Sequence, residues 1–174
     1  QEAIENALHD IHIDFIPNTS KTEIHLNDED VSDEIRQMYI SDKVSDVSAI
    51  KAVRVAMVTQ QQKLGSRRNI IMDGRDIGTT VFPDADLKIF MTADPKVRAA
   101  RRYLELTEKG EDVTLEEVVE NLATRDRIDS TRAESPLRQA EDAIVLDNSN
   151  LTPEQQLRFV EEEYLKAKVL KSQS

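Results

Sequence analysis

Apolar positions in the first 65 residues change period twice. Between Glu2 and His9, Ile4, Ala7 and Leu8 recur at helical spacing. From there to Leu26 apolar and polar residues alternate, through Ile11, Ile13 and Phe15 and again through Thr22, Ile24 and Leu26, around the turn signal Pro17-Asn18-Thr19-Ser20. The spacing predicts a helix and then a β-hairpin over His12 to Leu26. From Asp33 to Leu64 the period is helical again, with Ile35, Met38, Tyr39, Val44, Val47, Ile50, Val53 and Met57 on one stripe, which predicts at least two helices.

The second half reads differently. Asn69 to Asp73, Leu87 to Thr92 and Ala143 to Leu146 are short, continuously apolar runs, as expected of strands covered on both faces. Asp94-Pro95 supplies an N-cap and first helical position for a helix over Lys96 to Lys109, stopped by Gly110. Thr114 and Glu117 form a capping box for a further helix from Leu115 to about Asp129. Strand, helix, helix, strand, helix is the order of an α/β fold with a parallel, doubly wound sheet.

Composition narrows the function classes. With 174 residues and 39% hydrophobic content the chain suits one compact core with a small insertion. It has no cysteine, so disulfides and thiolate metal sites are excluded, and a reducing cytosol is the expected compartment. Its longest apolar runs fall far below the roughly 20 residues needed to span a bilayer. A net charge of −11 opposes broad nucleic-acid binding, yet arginines gather between Arg98 and Arg138, so a local anion site is compatible with an acidic whole. No apolar stripe is left without a core role in this reading, and a monomer is expected. No signal-peptide pattern opens the sequence, which begins at Gln1 within a predicted helix.

Three constellations carry candidate chemistry. Asp73-Gly74-Arg75-Asp76-Ile77-Gly78 follows a predicted strand, where open α/β sheets bind ligands and where glycine lets backbone approach closely; a solvated turn with Arg75 paired to an acid is the alternative. Leu115, Val118, Leu122, Arg125, Asp129 and Arg132 follow steps of three and four, a stripe that starts apolar and ends charged. Either its charges meet a ligand bearing phosphate and hydroxyls, or Arg125 and Asp129 form an i, i+4 surface pair. Arg98, Arg101 and Arg102 cluster on the next helix upstream; they read either as a solvated face with an Arg101–Glu105 pair or as cations for phosphoryl transfer. His9 and His12 have no third ligand at metal spacing, so no metal site is expected, and Asp28-Glu29-Asp30 reads as a solvated turn.

Taken together these stretches resemble the bacterial cytidylate kinases, over essentially the whole chain. The resemblance is carried by Glu29-Asp30-Val31-Ser32-Asp33-Glu34-Ile35-Arg36, by Asp73 through Ala85, by Arg101-Arg102, by Glu108-Lys109-Gly110, and by Arg125-Asp126 through Arg132-Ala133 to Pro136-Leu137. It implies a P-loop nucleoside monophosphate kinase fold: a parallel sheet flanked by helices, an antiparallel-sheet insertion that binds the monophosphate, and a lid. Residues 1–65 would be the insertion with connecting helices, and 66–174 the parallel part with a lid at about 98–137. The implied activity is transfer of the γ-phosphoryl group of ATP, with Mg²⁺, to CMP or dCMP in the cytoplasm, by a phosphotransferase with a phosphate group as acceptor. The resemblance places Ser45, Arg54 and Asp76 on the base, Arg75 and Arg132 on the CMP phosphate, Arg125 and Asp129 on the ribose, and Arg101 and Arg102 near the transferring phosphate, with Arg132 also counted among the catalytic cations. Ile128 and Ser130 depart from the charged residues the family pattern carries there.

The family also has a G-x-x-x-x-G-K-[ST] loop near its N-terminus that cradles ATP phosphates. Gly65, Gly74, Gly78 and Gly110 form no such motif. The resemblance therefore implies an upstream P-loop segment missing from this sequence, without which the chain is expected to be inactive. Rival expectations are a CMP-binding module without catalysis and a kinase for another monophosphate such as UMP.

Overall fold

A computed structural model describes residues 2–17, 19, 22–66 and 69–172. Contacts divide the chain into two compact units: Gln1–Arg68 with Arg132–Glu134, and Asn69–Thr131 with Ser135–Ser174.

The first unit opens with α1 (Glu2–Ala7), then β1 (Ile13–Pro17), β2 (Thr22–Leu26) and β3 (Glu29–Asp30) in an antiparallel sheet of that order. Phe15 faces Ile24 and Ile13 faces Leu26 across the hairpin. Residues 18 and 20 of its predicted turn, and residue 21 after it, lie outside the described residues. The acidic run does more than turn: Asn27 and Asp28 both have positive φ, at 49° and 70°, which suits a two-residue hairpin turn, and Glu29 and Asp30 pair back onto β2. The Asn27 side chain closes the turn by accepting from the His12 N–H at 2.8 Å. Then come α2 (Met38–Ser48) and α3 (Lys51–Gly65), the two helices the spacing predicts. Their apolar stripe is not enclosed as expected: Val53 is buried, but Ile35, Tyr39, Val44 and Val47 are exposed. A helix face becomes core only where another element covers it.

The second unit holds β4 (Ile89–Thr92), α4 (Pro95–Glu108), α5 (Leu115–Thr131), β5 (Ile144–Asp147) and α6 (Pro153–Ser172). β4 and β5 are parallel, with Ile89 opposite Ile144 and Met91 opposite Leu146. The mixed α/β class with a parallel sheet and a small antiparallel sheet is as the sequence indicates. The local signals hold well. Asp94 accepts from the N–H groups of Lys96 and Val97 with Pro95 at the first position of α4. At the other end Glu111 N–H reaches Leu106 O at 3.0 Å and Gly110 N–H reaches Thr107 O at 3.0 Å, with Gly110 at φ 81°, a Schellman ending. Thr114 and Glu117 exchange the reciprocal bonds of a capping box at 2.7 and 3.2 Å.

The non-local expectation fails at Asn69–Asp73. That segment joins neither sheet, and Ile71 is 100% exposed. An apolar run becomes a strand only when a neighbour takes its backbone hydrogen bonds, and β4 and β5 pair with each other instead. These strands are not enclosed on both faces either, since Met91 and Val145 are exposed and a sheet face is buried only where another element packs on it. Leu157, Leu165 and Leu170 of α6 are exposed too, so the premise that every apolar stripe has a core role is not met. The core of this unit is Val81, Ala99, Leu106, Val118 and Leu146.

Candidate functional site

The glycine-bearing loop after residue 72 leads into one wide helical turn, Ile77–Val81, with i to i+5 bonding. Phe82 N–H donates to Ile77 O at 2.7 Å, and Asp76 O collects the N–H groups of Thr79, Thr80 and Val81 at 3.3, 2.8 and 3.3 Å. The turn thereby fixes Asp76, which is 3% exposed. Both glycines answer to close packing by the chain itself. A Cβ on Gly74 would lie 2.9 Å from Ile77 Cγ1, and one on Gly78 would lie 3.2 Å from Lys88 Cδ.

The stripe on α5 does turn inward. Val118 and Asp129 are buried, Leu122 and Arg125 half-buried, and only Leu115 at its start is exposed. The partner of Asp129 is remote in sequence: Arg75 Nε donates to Asp129 Oδ2 at 3.0 Å across 54 positions. A buried carboxylate needs such a partner, since an unpaired charge out of water is costly. The bond uses Nε, so it does not occupy the Nη1/Nη2 edge of Arg75, the edge that suits a phosphate fork. Burial, and then the charge of Arg75, push the Arg125 guanidinium below its usual range, while Asp129 and Asp126 oppose that shift and Arg102 adds to it. Arg75, Asp129, Arg102 and Asp126 therefore all lie within electrostatic reach of Arg125.

The arginines of α4 point to different places. Arg98 makes a two-pronged bond to Asp126 of α5, at 2.6 and 3.0 Å, and this contact raises its proton affinity. Arg102 donates to Glu105 at 2.8 Å, and Lys109 to the same carboxyl at 2.6 Å, holding Glu105 below the usual carboxylate range. Arg101 does not pair with Glu105. Its guanidinium lies over the carboxyl end of β5, donating to Asn148 Oδ1 at 2.9 Å, Asn148 O at 2.8 Å and Ser149 O at 3.3 Å. Three fixed acceptors hold it there, and Glu105 already lies between two other cations.

Within the first unit, Arg54 and Arg132 converge on one residue of α2. Arg54 Nη2 donates to Ser48 O at 3.3 Å and Arg132 Nη1 to Ser48 Oγ at 3.4 Å. Arg132 follows the last turn of α5 but belongs to this unit, where it is 8% exposed. Lys51 and Glu134 pair at 3.0 Å beside it. Ser45 lies on α2; its side chain is outside the described set.

Spacing alone does not single out Asp126, Ser48, Asn148 or Ser149. The polar run Asp147-Asn148-Ser149-Asn150 directly after β5 is the signal that could have marked the last two, because loops at that end of a parallel sheet line the ligand crevice. Spacing is equally silent on Glu23, His25 and Asp30, which gather on one side of the small sheet with their ligand atoms within 4.8 Å. Asp30 there accepts from the Ser32 N–H at 2.9 Å and His25 Nε2 lies 3.3 Å from Glu23, a hydrogen-bonded polar patch. Among the described residues this is the one such cluster, and no helix is long and apolar enough to cross a membrane.

Comparison with known proteins bears on this arrangement. The family model described as cytidylate kinase matches residues 1–165. A protein named cytidylate kinase from Bacteroides thetaiotaomicron is 52% identical over 165 residues, covering 94% of this chain and 72% of that protein. One of the same name from Parabacteroides distasonis is 53% identical over 169 residues, covering 96% and 74%. Another from Porphyromonas gingivalis is 52% identical over 166 residues, covering 94% and 72%.

Proposed function

The chain belongs to the cytidylate kinase family, and on that premise we propose that it serves transfer of the γ-phosphoryl group of ATP to CMP or dCMP, giving the diphosphate and ADP, in cytoplasmic pyrimidine nucleotide metabolism. The observation that carries this reading is the bond from Arg75 to buried Asp129, with half-buried Arg125 within electrostatic reach of both. Guanidinium forks suit phosphate oxygens, and a carboxylate suits ribose hydroxyls. No covalent intermediate is needed. What the residues contribute is position and positive charge where negative charge accumulates.

In this proposal Arg75 and Arg132 hold the CMP phosphate, Arg125 and Asp129 reach the ribose, and Ser45, Arg54 and Asp76 address the base. Arg101 and Arg102 lie near the transferring phosphate, and the bonds of Arg101 to Asn148 and Ser149 tie it to the loop after β5. The donor ATP and Mg²⁺ come from the family alone. The arginines fit a phosphate group, but the described residues bring no set of carboxylates to that cluster at metal-ligand spacing and the sequence has no glycine-lysine cradle, so no residue of this chain is assigned to the metal or the triphosphate.

The test is steady-state kinetics of the full-length protein with CMP, dCMP and UMP as acceptors. Arg132→Ala, which removes a cation from the phosphate, and Asp129→Ala, which loosens the placement of the acceptor, are each expected to lower CMP turnover on the order of 10²-fold. Near-normal kinetics in both variants would overturn the site. Calorimetry with CMP and with ATP separates a kinase from a module that binds only the acceptor.

A further inference from the structure

α4 and α5 form an antiparallel helical hairpin joined by residues 109–114, and its two ends are closed by different physics. Near the loop the closure is apolar: Leu106 of α4 and Val118 of α5 are 0% and 1% exposed. At the open end it is ionic, the two-pronged bond from Arg98 of α4 to Asp126 of α5. Both partners are about one-third exposed, at 33% and 37%, so solvent screens the bond without dissolving its geometry. One turn beyond Arg98 on α4 is Arg102, and the residue before Asp126 on α5 is Arg125, on which the charge of Arg102 presses. Two like charges on facing helices repel, and something must hold those helices at fixed separation.

We propose that Asp126 is a positioning residue: its hold on Arg98 sets the spacing of the Arg102–Arg125 guanidinium pair for a phosphate group. This goes beyond the site residues assigned above, none of which is Arg98 or Asp126, and it rests on the kinase reading only for its kinetic arm. Loss of the bond lets the open end of the hairpin splay under the repulsion of its own arginines. The pair then meets phosphate oxygens at the wrong distance, and a misplacement of about 1 Å is enough to cost on the order of 10²-fold in rate.

A simple charge effect predicts the opposite sign, which makes the proposal testable. Removing the carboxylate in Asp126→Asn raises local positive charge, and on electrostatics alone anions should bind more tightly. Positioning predicts weaker binding. The probe is inorganic pyrophosphate, titrated by calorimetry into the full chain of the wild type, Asp126→Asn, Asp126→Glu and the exchanged pair Arg98→Asp/Asp126→Arg. The expected result is about tenfold weaker binding for Asp126→Asn, with Asp126→Glu or the exchanged pair returning to within about threefold of wild type. In the kinetic arm kcat should fall 10- to 100-fold for Asp126→Asn while KM for CMP stays within about twofold. Equal or tighter pyrophosphate binding by Asp126→Asn overturns the proposal, as does a loss that neither restoring variant reverses. If wild-type protein binds pyrophosphate but turns over no monophosphate, the kinase reading fails while the binding arm still decides the role of Asp126.

Discussion

Asp129 and Gly110 illustrate how differently two residues can depend on their surroundings. Asp129 sits at a position the α5 stripe marks as inward, so its burial is legible from spacing. Its partner is not, because Arg75 lies 54 positions away and periodicity carries no information about pairing at that range. The same limit hides Asp126 and Ser48. Gly110 is wholly local. Its φ of 81° is in the left-handed region and a Cβ there would meet nothing within 4 Å, so the cost of Gly110→Ala is backbone strain alone, about 1–2 kcal/mol. Gly74→Ala fails for the other reason, a Cβ 2.9 Å from Ile77 Cγ1, and the forced shift of Ile77 should cost about 1–3 kcal/mol. Urea unfolding measures both, and the companion variants sort the causes. Gly110→Asn should recover part of the first loss, and Ile77→Ala in the Gly74→Ala background should recover part of the overpacking penalty.

At the scale of elements, α4 and α5 are readable almost to the residue because their caps are written in adjacent residues: Asp94-Pro95, Gly110, and Thr114 with Glu117. The run Asn69–Asp73 misleads because a strand is a relation to a neighbour, and apolar content does not supply one. The Ile77–Val81 turn is hidden for a related reason, since a single wide turn has no period. α4 also carries a pH-sensitive contact. Lys109 and Arg102 hold the Glu105 carboxyl below its usual range, so the folded state binds that proton less readily than the unfolded chain. The resulting stabilisation is fully present above the ordinary carboxylate pKa of about 4 and is lost as pH falls through the lower folded value. Thermal melts of wild type and Glu105→Gln should differ at pH 7 and converge near pH 3. The difference should be small and should shrink in high salt, since Glu105 is nearly half exposed. Curves that stay parallel down to pH 3 would remove Glu105 from the account.

At the scale of the whole molecule the two units differ in what holds them. Among the described residues the buried apolar side chains of the second unit come from the wide turn, α4, α5 and β5, whereas the first has Val53. Local opening is governed by such buried contacts. Hydrogen exchange followed by mass spectrometry should therefore show the amides of α4, α5 and β5 exchanging more slowly than those of α2 and α3; equal protection would mean that buried side chains do not set the order. The family and the α/β class are legible in the sequence because motif order survives without coordinates. The assignment of Arg132–Glu134 to the first unit is not, since those residues directly follow α5. That assignment has a consequence for synthesis on the ribosome. The first unit is not a continuous stretch of chain: its Arg132 contact to Ser48 and its Lys51–Glu134 pair need residues that emerge only after 69–131 have been made. At ~5–20 residues per second that is a wait of roughly 3–13 s, during which the first stretch of this unit must persist without its last partners.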